Sequence, residues 1–338
     1  VSLLDRLLER IRREGSLSIE AYMQAALFDP DDGYYMRQPV FGVAGDFITA
    51  PEISQCFGEM LALWVIDRWQ QMGAPTPCHI VECGPGRGTL MADMARVFRQ
   101  FPITHPAFHL HLVEISPRLR GLQQQALAGA SLPCHWHETI ATLPPGPVLL
   151  VANEWLDAFP IQQWVKDGEE WVERRIVCHP EPQAHDGPSL HFADSGTLPI
   201  RETSPMMLAA MREVAAHIHK QGGAALLIDY GYWGPPEGNT LQAVRHHKPH
   251  PVLEMPGEAD LTAQVDFHAV STVAESVGLR VAPLTTQAAF LERLGIRERQ
   301  ARLTANTSPE TAKTLATGVE RLLSPDQMGT LFKVLEVN

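Results

Sequence analysis

From His79 onward the chain alternates short apolar runs with amphipathic ones: HIVE (79–82), TLMADMARVF (89–98), HLHLVE (109–114), PVLLVAN (147–153) and AALLIDY (224–230). Short runs that are apolar on both faces, separated by segments of helical period, predict strands of a parallel sheet covered by helices on each side. That pattern restricts the chain to an α/β, Rossmann-like fold, in which ligands bind outside the carboxyl ends of the strands. FKVLEV (332–337) reads as a last, antiparallel strand.

Around that frame the sequence predicts four parts. Residues 1–72 are mainly helical: an opening helix, a second capped at Ser18, and a long helix from about Ile53 to Met72. Between the last two lies a Gly- and Pro-punctuated loop, about 29–51, whose length points to function, as a candidate cofactor cover, and whose aromatic residues argue for order. Residues 73–160 hold the first half of the sheet. Residues 161–222 hold an inserted hairpin turning at Asp167-Gly168, followed by a helix around 206–220, an element expected to form one wall of the substrate cleft. Residues 223–338 complete the sheet with C-terminal helices, among them one capped at Ser308 with Pro309 at its first position, and an expected strand at 281–286.

Composition narrows the partners. With 27 Lys and Arg against 39 Asp and Glu the net charge is −12, the wrong sign for tracking phosphate backbones, so nucleic acid is disfavoured as a partner. Five cysteines without C-x-x-C spacing argue against a disulfide framework and favour a reducing compartment. No apolar run approaches the roughly 20 residues that span a bilayer, and the amphipathic opening VSLLDRLLERIRR reads as a surface helix rather than a leader. The histidine pairs HWH (135–137), HIH (217–219) and the cluster HHKPH (246–250) lack a third ligand in view, so no metal is expected.

The sharpest chemical signal is VECGPGRGTL (81–90). Gly84, Gly86 and Gly88 follow a strand and open a helix, where the backbone must turn tightly and admit a ligand without a Cβ in the way. The spacing is G-x-G-x-G rather than G-x-G-x-x-G, and the acid Glu82 precedes it. A carboxylate there opposes a pyrophosphate but suits a ligand carrying an ammonium and a sulfonium, which describes S-adenosyl-L-methionine. Glu114, ending the next strand, is placed to accept ribose hydroxyls.

The segment VANEWLDAFP (151–160) opens a buried strand onto Asn153, Glu154 and Asp157. Carboxylates forked against a guanidinium fix its plane and help remove a proton as one nitrogen attacks. Glu154 and Asp157 are candidates for that task, with Asn153 aligning the nucleophile or capping the turn. In the loop GDFITAP (45–51), Asp46, Phe47 and Thr49 are candidates to cover the ligand, while Thr49 and Glu52 also fit a helix capping box. Asp229 and Tyr230 read as structural or channel residues.

Five segments together resemble the MidA family: GDFITAPEISQCFGE (45–59), VECGPGRGTLM (81–91), ANEWLDAFPI (152–161), LIDYG (227–231) and DLTAQVDF (260–267). The likeness runs in order from about residue 16 to the end. Cys83, Ala50 and Trp155-Leu156 depart from the family's usual residues without removing a carboxylate or a loop glycine. The resemblance implies a class I methyltransferase sheet, S-adenosyl-L-methionine as cofactor, and methylation of a protein arginine, on a subunit of respiratory complex I or its bacterial counterpart. It implies a cytoplasmic location in a bacterium and the mitochondrial matrix in a eukaryote. The competing expectations are a small-molecule or nucleic-acid methyl acceptor, and an assembly factor that keeps the fold without catalysis.

Overall fold

The computed structural model describes residues 1–37, 49–178, 189–194, 196, 198–234, 238–305 and 307–338. Two compact units interleave along the chain. One comprises Val1–Phe47, Asp157–Ala209 and Gly234–Asp266, the other Ile48–Leu156, Ala210–Trp233 and Phe267–Asn338.

The larger unit is built on the sheet anticipated from the alternating pattern. Its strands are β1 (Cys78–Cys83), β2 (Phe108–Val113), β3 (Cys134–His137), β4 (Val148–Asn153), β5 (Gly223–Tyr232), β6 (Thr285–Thr286) and β7 (Phe332–Val337), in spatial order 6-7-5-4-1-2-3. β1 to β5 pair in parallel, and β7 runs antiparallel between β5 and β6. Every residue of β1 and β4 is buried, which is why both read as mainly apolar runs, broken by His79 and Glu82 in β1 and closed by Asn153 in β4. Helices α1 (Gln55–Gln71) and α2 (Thr89–Phe98) contribute Phe57, Leu61, Val65, Met91 and Phe98 to a core with Ile80, Leu110, Leu149 and Val151 of the strands.

Local chemistry redraws three expected boundaries. The helix anticipated over 53–72 is two helices, Ala50–Ile53 and α1. Ser54, extended at φ −158°, separates them and caps the second by accepting from the Cys56 N–H. The capping box at Thr49 and Glu52 does not form. Thr49 makes no side-chain cap bond, and Glu52 Oε1 instead accepts from the Thr89 hydroxyl at 2.5 Å. The strand expected at 281–286 shrinks to Thr285–Thr286 plus an isolated bridge at Val281, because Pro283 between them has no N–H to donate to the ladder.

The smaller unit packs the helices Leu3–Glu14 and Ile19–Phe28 beside short antiparallel strands. Leu3, Leu7, Leu8 and Ile11 repeat at helical spacing and are buried with Tyr22, Met23, Ile176 and Leu261. Ser2 and Asp5 form a full capping box on the first helix, and Ser18 caps the second. The inserted hairpin pairs Gln162–Asp167 with Glu170–Glu173 through Gly168 at φ +62°. It ends at Arg174, whose buried guanidinium turns to Gln163 Oε1 (2.9 Å) and Asp194 Oδ2 (2.6 Å). The strand Arg175–Cys178 then pairs with Leu17–Ser18 instead.

β7 is anchored by Glu336, a buried carboxylate that accepts from Trp64 Nε1 at 2.8 Å, Arg68 Nη2 at 2.6 Å and Arg293 Nη2 at 2.5 Å. Removing the acceptor leaves a buried indole N–H and two guanidinium groups without it. Glu336→Ala is expected to cost about 3 kcal/mol of unfolding free energy. The midpoint and slope of urea denaturation check this.

Candidate active site

The carboxyl ends of β1 and β4 lie side by side, with Glu82 opposite Val151 and Cys83 opposite Ala152. Beyond β1 the chain enters the glycine loop, where Gly84, Gly86 and Gly88 adopt φ of +65°, +51° and +84°. Those left-handed values, rather than composition, require glycine there. Gly88 is also the N-cap of α2.

Glu82 ends the strand almost wholly buried, and its Oε2 has no hydrogen-bond partner. Burial pushes its carboxyl well above the usual range. The Met91 backbone N–H acts in the opposite sense, and the nearby Glu114 adds to the rise. A buried oxygen of this kind has capacity for one more donor, since an unmet acceptor in a dry site is costly. Glu114 follows β2 and accepts from the Ser116 N–H at 2.8 Å and from Gln123 Nε2 at 3.2 Å. Burial raises its pKa, and those bonds pull the other way.

Beyond β4 the chain reverses through Glu154 at φ +51°, a conformation uncommon for a non-glycine residue. The surroundings hold it there from both sides. The Glu154 N–H donates to Ile228 O at 2.9 Å, and the Leu156 N–H donates to Asp229 Oδ2 at 3.0 Å. Asp229 is fully buried, and its Oδ1 also accepts from the Tyr230 N–H at 2.9 Å. The Glu154 carboxylate is itself oriented, with Oε1 accepting from Asn153 Nδ2 at 3.0 Å and from the Ala50 N–H at 3.2 Å. Asn153 is buried, and its Oδ1 has no hydrogen-bond partner. Trp155 lies on the glycine loop. A Cβ at Gly84 would come within 2.6 Å of Trp155 Cδ1.

The candidates chosen from sequence thus fall into groups. Glu82, the three glycines and Glu114 gather at the ends of β1 and β2, and Asn153 and Glu154 stand beside the loop through Trp155. Asp157 belongs to the smaller unit, where it is buried and its carbonyl accepts from the Ala263 N–H at 3.0 Å. In that unit the Tyr35 hydroxyl donates to Asp260 Oδ1 at 2.8 Å. Burial pushes the Tyr35 phenol up, reinforced by the charges of Asp260 and Asp157. Thr49 is the half-buried N-cap of Ala50–Ile53. Asp46 and Phe47 lie outside the described residues. Sequence reasoning missed Gln123, Trp155 and the tether role of Asp229, because spacing along the chain carries no sign of these contacts.

The histidines form a separate feature on one face of β1, β2 and β3, whose crossover to β4 carries only a 3-10 turn, Ile140–Thr142. His79 Nδ1 and His111 Nε2 lie 3.0 Å apart, His111 Nδ1 and His137 Nε2 2.8 Å, and His137 Nδ1 reaches Thr142 Oγ1 at 3.0 Å. With His109 and His135 they line a cavity of about 600 Å³. Among the described residues no three His, Cys, Asp or Glu side chains converge to hold a metal ion. Burial lowers the pKa of His79, His137 and His111, the last to about 3, with the neighbouring imidazoles adding to the depression. A histidine held below its unfolded value of about 6.5 costs nothing above that pH. Below it the unfolded chain takes protons that the fold refuses, so stability falls progressively from about pH 6.5 toward 3. Urea midpoints measured between pH 7.5 and 5 are expected to fall more steeply for the native chain than for His111→Gln.

Comparison with known proteins extends this geometry. The family model of S-adenosyl-L-methionine-dependent methyltransferases matches residues 60–285. The chain is 35% identical to the mitochondrial protein arginine methyltransferase NDUFAF7 homolog of Drosophila melanogaster, over 99% of this chain and 84% of that protein. It is 33% identical to the mitochondrial protein arginine methyltransferase NDUFAF7 of Homo sapiens, over 98% and 82%. Among solved structures, a Burkholderia thailandensis protein bound to S-adenosyl-homocysteine superposes with a TM-score of 0.85 at 27% identity, over 99% of this chain and 91% of that one. No helix among the described residues is long and apolar enough to cross a membrane.

Proposed function

The chain belongs to the S-adenosyl-L-methionine-dependent methyltransferase family that includes the NDUFAF7 protein arginine methyltransferases, and from that premise we propose that it methylates an arginine side chain of a protein, with Glu154 holding the guanidinium. The observation that carries this reading is the contact between Trp155 and Gly84, because it packs the turn bearing Glu154 against the loop expected to bind the cofactor.

The residues present fit that cofactor. Glu82 offers a buried carboxylate oxygen without a partner to a cationic amino-acid end. Gly84, Gly86 and Gly88 keep the loop backbone free of side chains, and Glu114 is an acceptor for ribose hydroxyls. Thr49, the N-cap of Ala50–Ile53, is kept with Asp46 and Phe47 as a proposed cofactor contact. When bound, S-adenosyl-L-methionine supplies an electrophilic methyl carbon on a sulfonium.

The remaining work falls to the chain. A protonated guanidinium is a poor nucleophile, because its charge is delocalised over three nitrogens. A fixed carboxylate holds one N–H edge, localises the lone pair on the attacking nitrogen and draws off its proton. Glu154 arrives at this task oriented, since Asn153 and the Ala50 N–H both hold its Oε1. Asp157, three residues on, is the second carboxylate of the same segment, and Asn153 acts by aligning Glu154. Apolar surroundings such as the Trp155 ring exclude water that would compete for the proton.

The finer expectations follow the family resemblance. A subunit of respiratory complex I, or its bacterial counterpart, is the proposed acceptor. The proposed compartment is the mitochondrial matrix for a eukaryotic chain, in keeping with relatives named as mitochondrial, and the cytoplasm for a bacterial one.

Incubation with methyl-labelled S-adenosyl-L-methionine and host lysate is expected to label a polypeptide on arginine. Glu154→Gln, which keeps an acceptor for Ala50 and Asn153, should lower kcat by about 10²–10⁴-fold while leaving S-adenosyl-homocysteine affinity unchanged in calorimetry. Label in RNA or a metabolite overturns the arginine reading. Native turnover by Glu154→Gln overturns the role of that residue, and cofactor binding with no label in any fraction leaves a non-catalytic assembly factor.

A further inference from the structure

One side chain, Gln123 of α3 (Pro117–Ala126), touches both halves of the expected cofactor site. It is fully buried. Its Nε2 donates to the Gly86 carbonyl at 2.8 Å and to Glu114 Oε2 at 3.2 Å, and its Oε1 accepts from Trp136 Nε1 at 2.9 Å. The backbone is equally close, since a Cβ on Gly88 would stand 3.1 Å from Gln123 Cα.

The three bonds fix which way the amide faces. An indole N–H only donates, so Trp136 must meet the amide oxygen, and both amide hydrogens are then committed to Gly86 and Glu114. Each partner is constrained in turn. The Gly86 carbonyl is drawn toward α3, which holds the loop at a set distance from β2. Glu114 receives Gln123 on Oε2 and the Ser116 N–H on Oε1, so its carboxylate plane is defined by a bond to each oxygen.

We propose that Gln123 is a positioning residue for the nucleoside end of the cofactor, fixing the Glu114 carboxylate relative to the glycine loop and thereby setting how strongly the site distinguishes a ribose diol from a 2′-deoxyribose. This rests on the cofactor reading given above. The amide N–H also favours the ionised form of Glu114 against burial, the form that accepts from hydroxyls. A residue that merely glued helix to loop would affect stability and affinity for both sugars alike.

Calorimetry of S-adenosyl-homocysteine and its 2′-deoxyribose analogue, on the native chain, Gln123→Met and Trp136→Phe, separates these cases. The native chain should prefer the ribose ligand by roughly 10–100-fold, as expected for hydrogen bonds to a charged group. Gln123→Met keeps length and burial but loses the donors. It should bind the ribose ligand about tenfold more weakly and the deoxy analogue almost unchanged, collapsing the ratio. Trp136→Phe keeps Gln123 but frees its amide to turn over, so an intermediate ratio is expected. A native ratio in both variants overturns the proposal whatever their stability. If Gln123→Met fails to fold, a native ratio in Trp136→Phe does so alone. Failure of the native chain to bind S-adenosyl-homocysteine would instead overturn the cofactor reading, and this inference with it.

Discussion

The register between β1 and β4 is the constraint on which the larger unit depends. Glu82 lies opposite Val151 and Cys83 opposite Ala152, so the two strands end level. Their loops therefore leave the sheet at the same height. From that one alignment follow the placing of Gly84 beneath Trp155 and the meeting of the glycine loop with the turn that carries Glu154. Every residue of both strands is buried. A slip of one residue would turn each side chain to the opposite face, so packing on both faces holds the register firmly.

Burial supplies the chemistry as well as the alignment. Glu82 stands at the end of a dry strand, and desolvation dominates its ionisation. A ligand bringing positive charge and N–H donors to its unpartnered oxygen reverses that penalty, which links ligand binding to the charge of the site. Glu336 shows the opposite balance within the same sheet. Three donors surround its carboxylate, and its pKa is depressed despite burial. One acid is satisfied by the chain and anchors β7, whereas the other retains capacity for a ligand.

The turn after β4 joins strain to position. A glutamate at positive φ persists only where its neighbours over-determine it. Here Ile228 O, Asp229 Oδ2 and the Ala50 N–H supply those constraints from β5 and from the start of the helical pair before β1. Asp229, placed by the sequence among structural or channel residues, is the tether that fixes where Leu156 and so the whole turn sits.

Much of this was legible in the chain itself. Alternating apolar runs gave the parallel sheet and its antiparallel last strand, since a strand buried on both faces is apolar at most of its positions. Gly84, Gly86 and Gly88 announced a tight backbone, and three positive φ values account for them. Glu82, Glu114 and Glu154 stood out as acids closing apolar strands. What only the tertiary structure decided is which groups those acids meet. Gln123 reaches Gly86 and Glu114, Trp155 covers Gly84, and Glu52 turns to Thr89 instead of capping its own helix. Periodicity reports which face of an element is buried, because burial repeats along the chain. A single hydrogen bond between distant segments repeats nowhere, so it leaves no pattern and appears only once the strands have aligned.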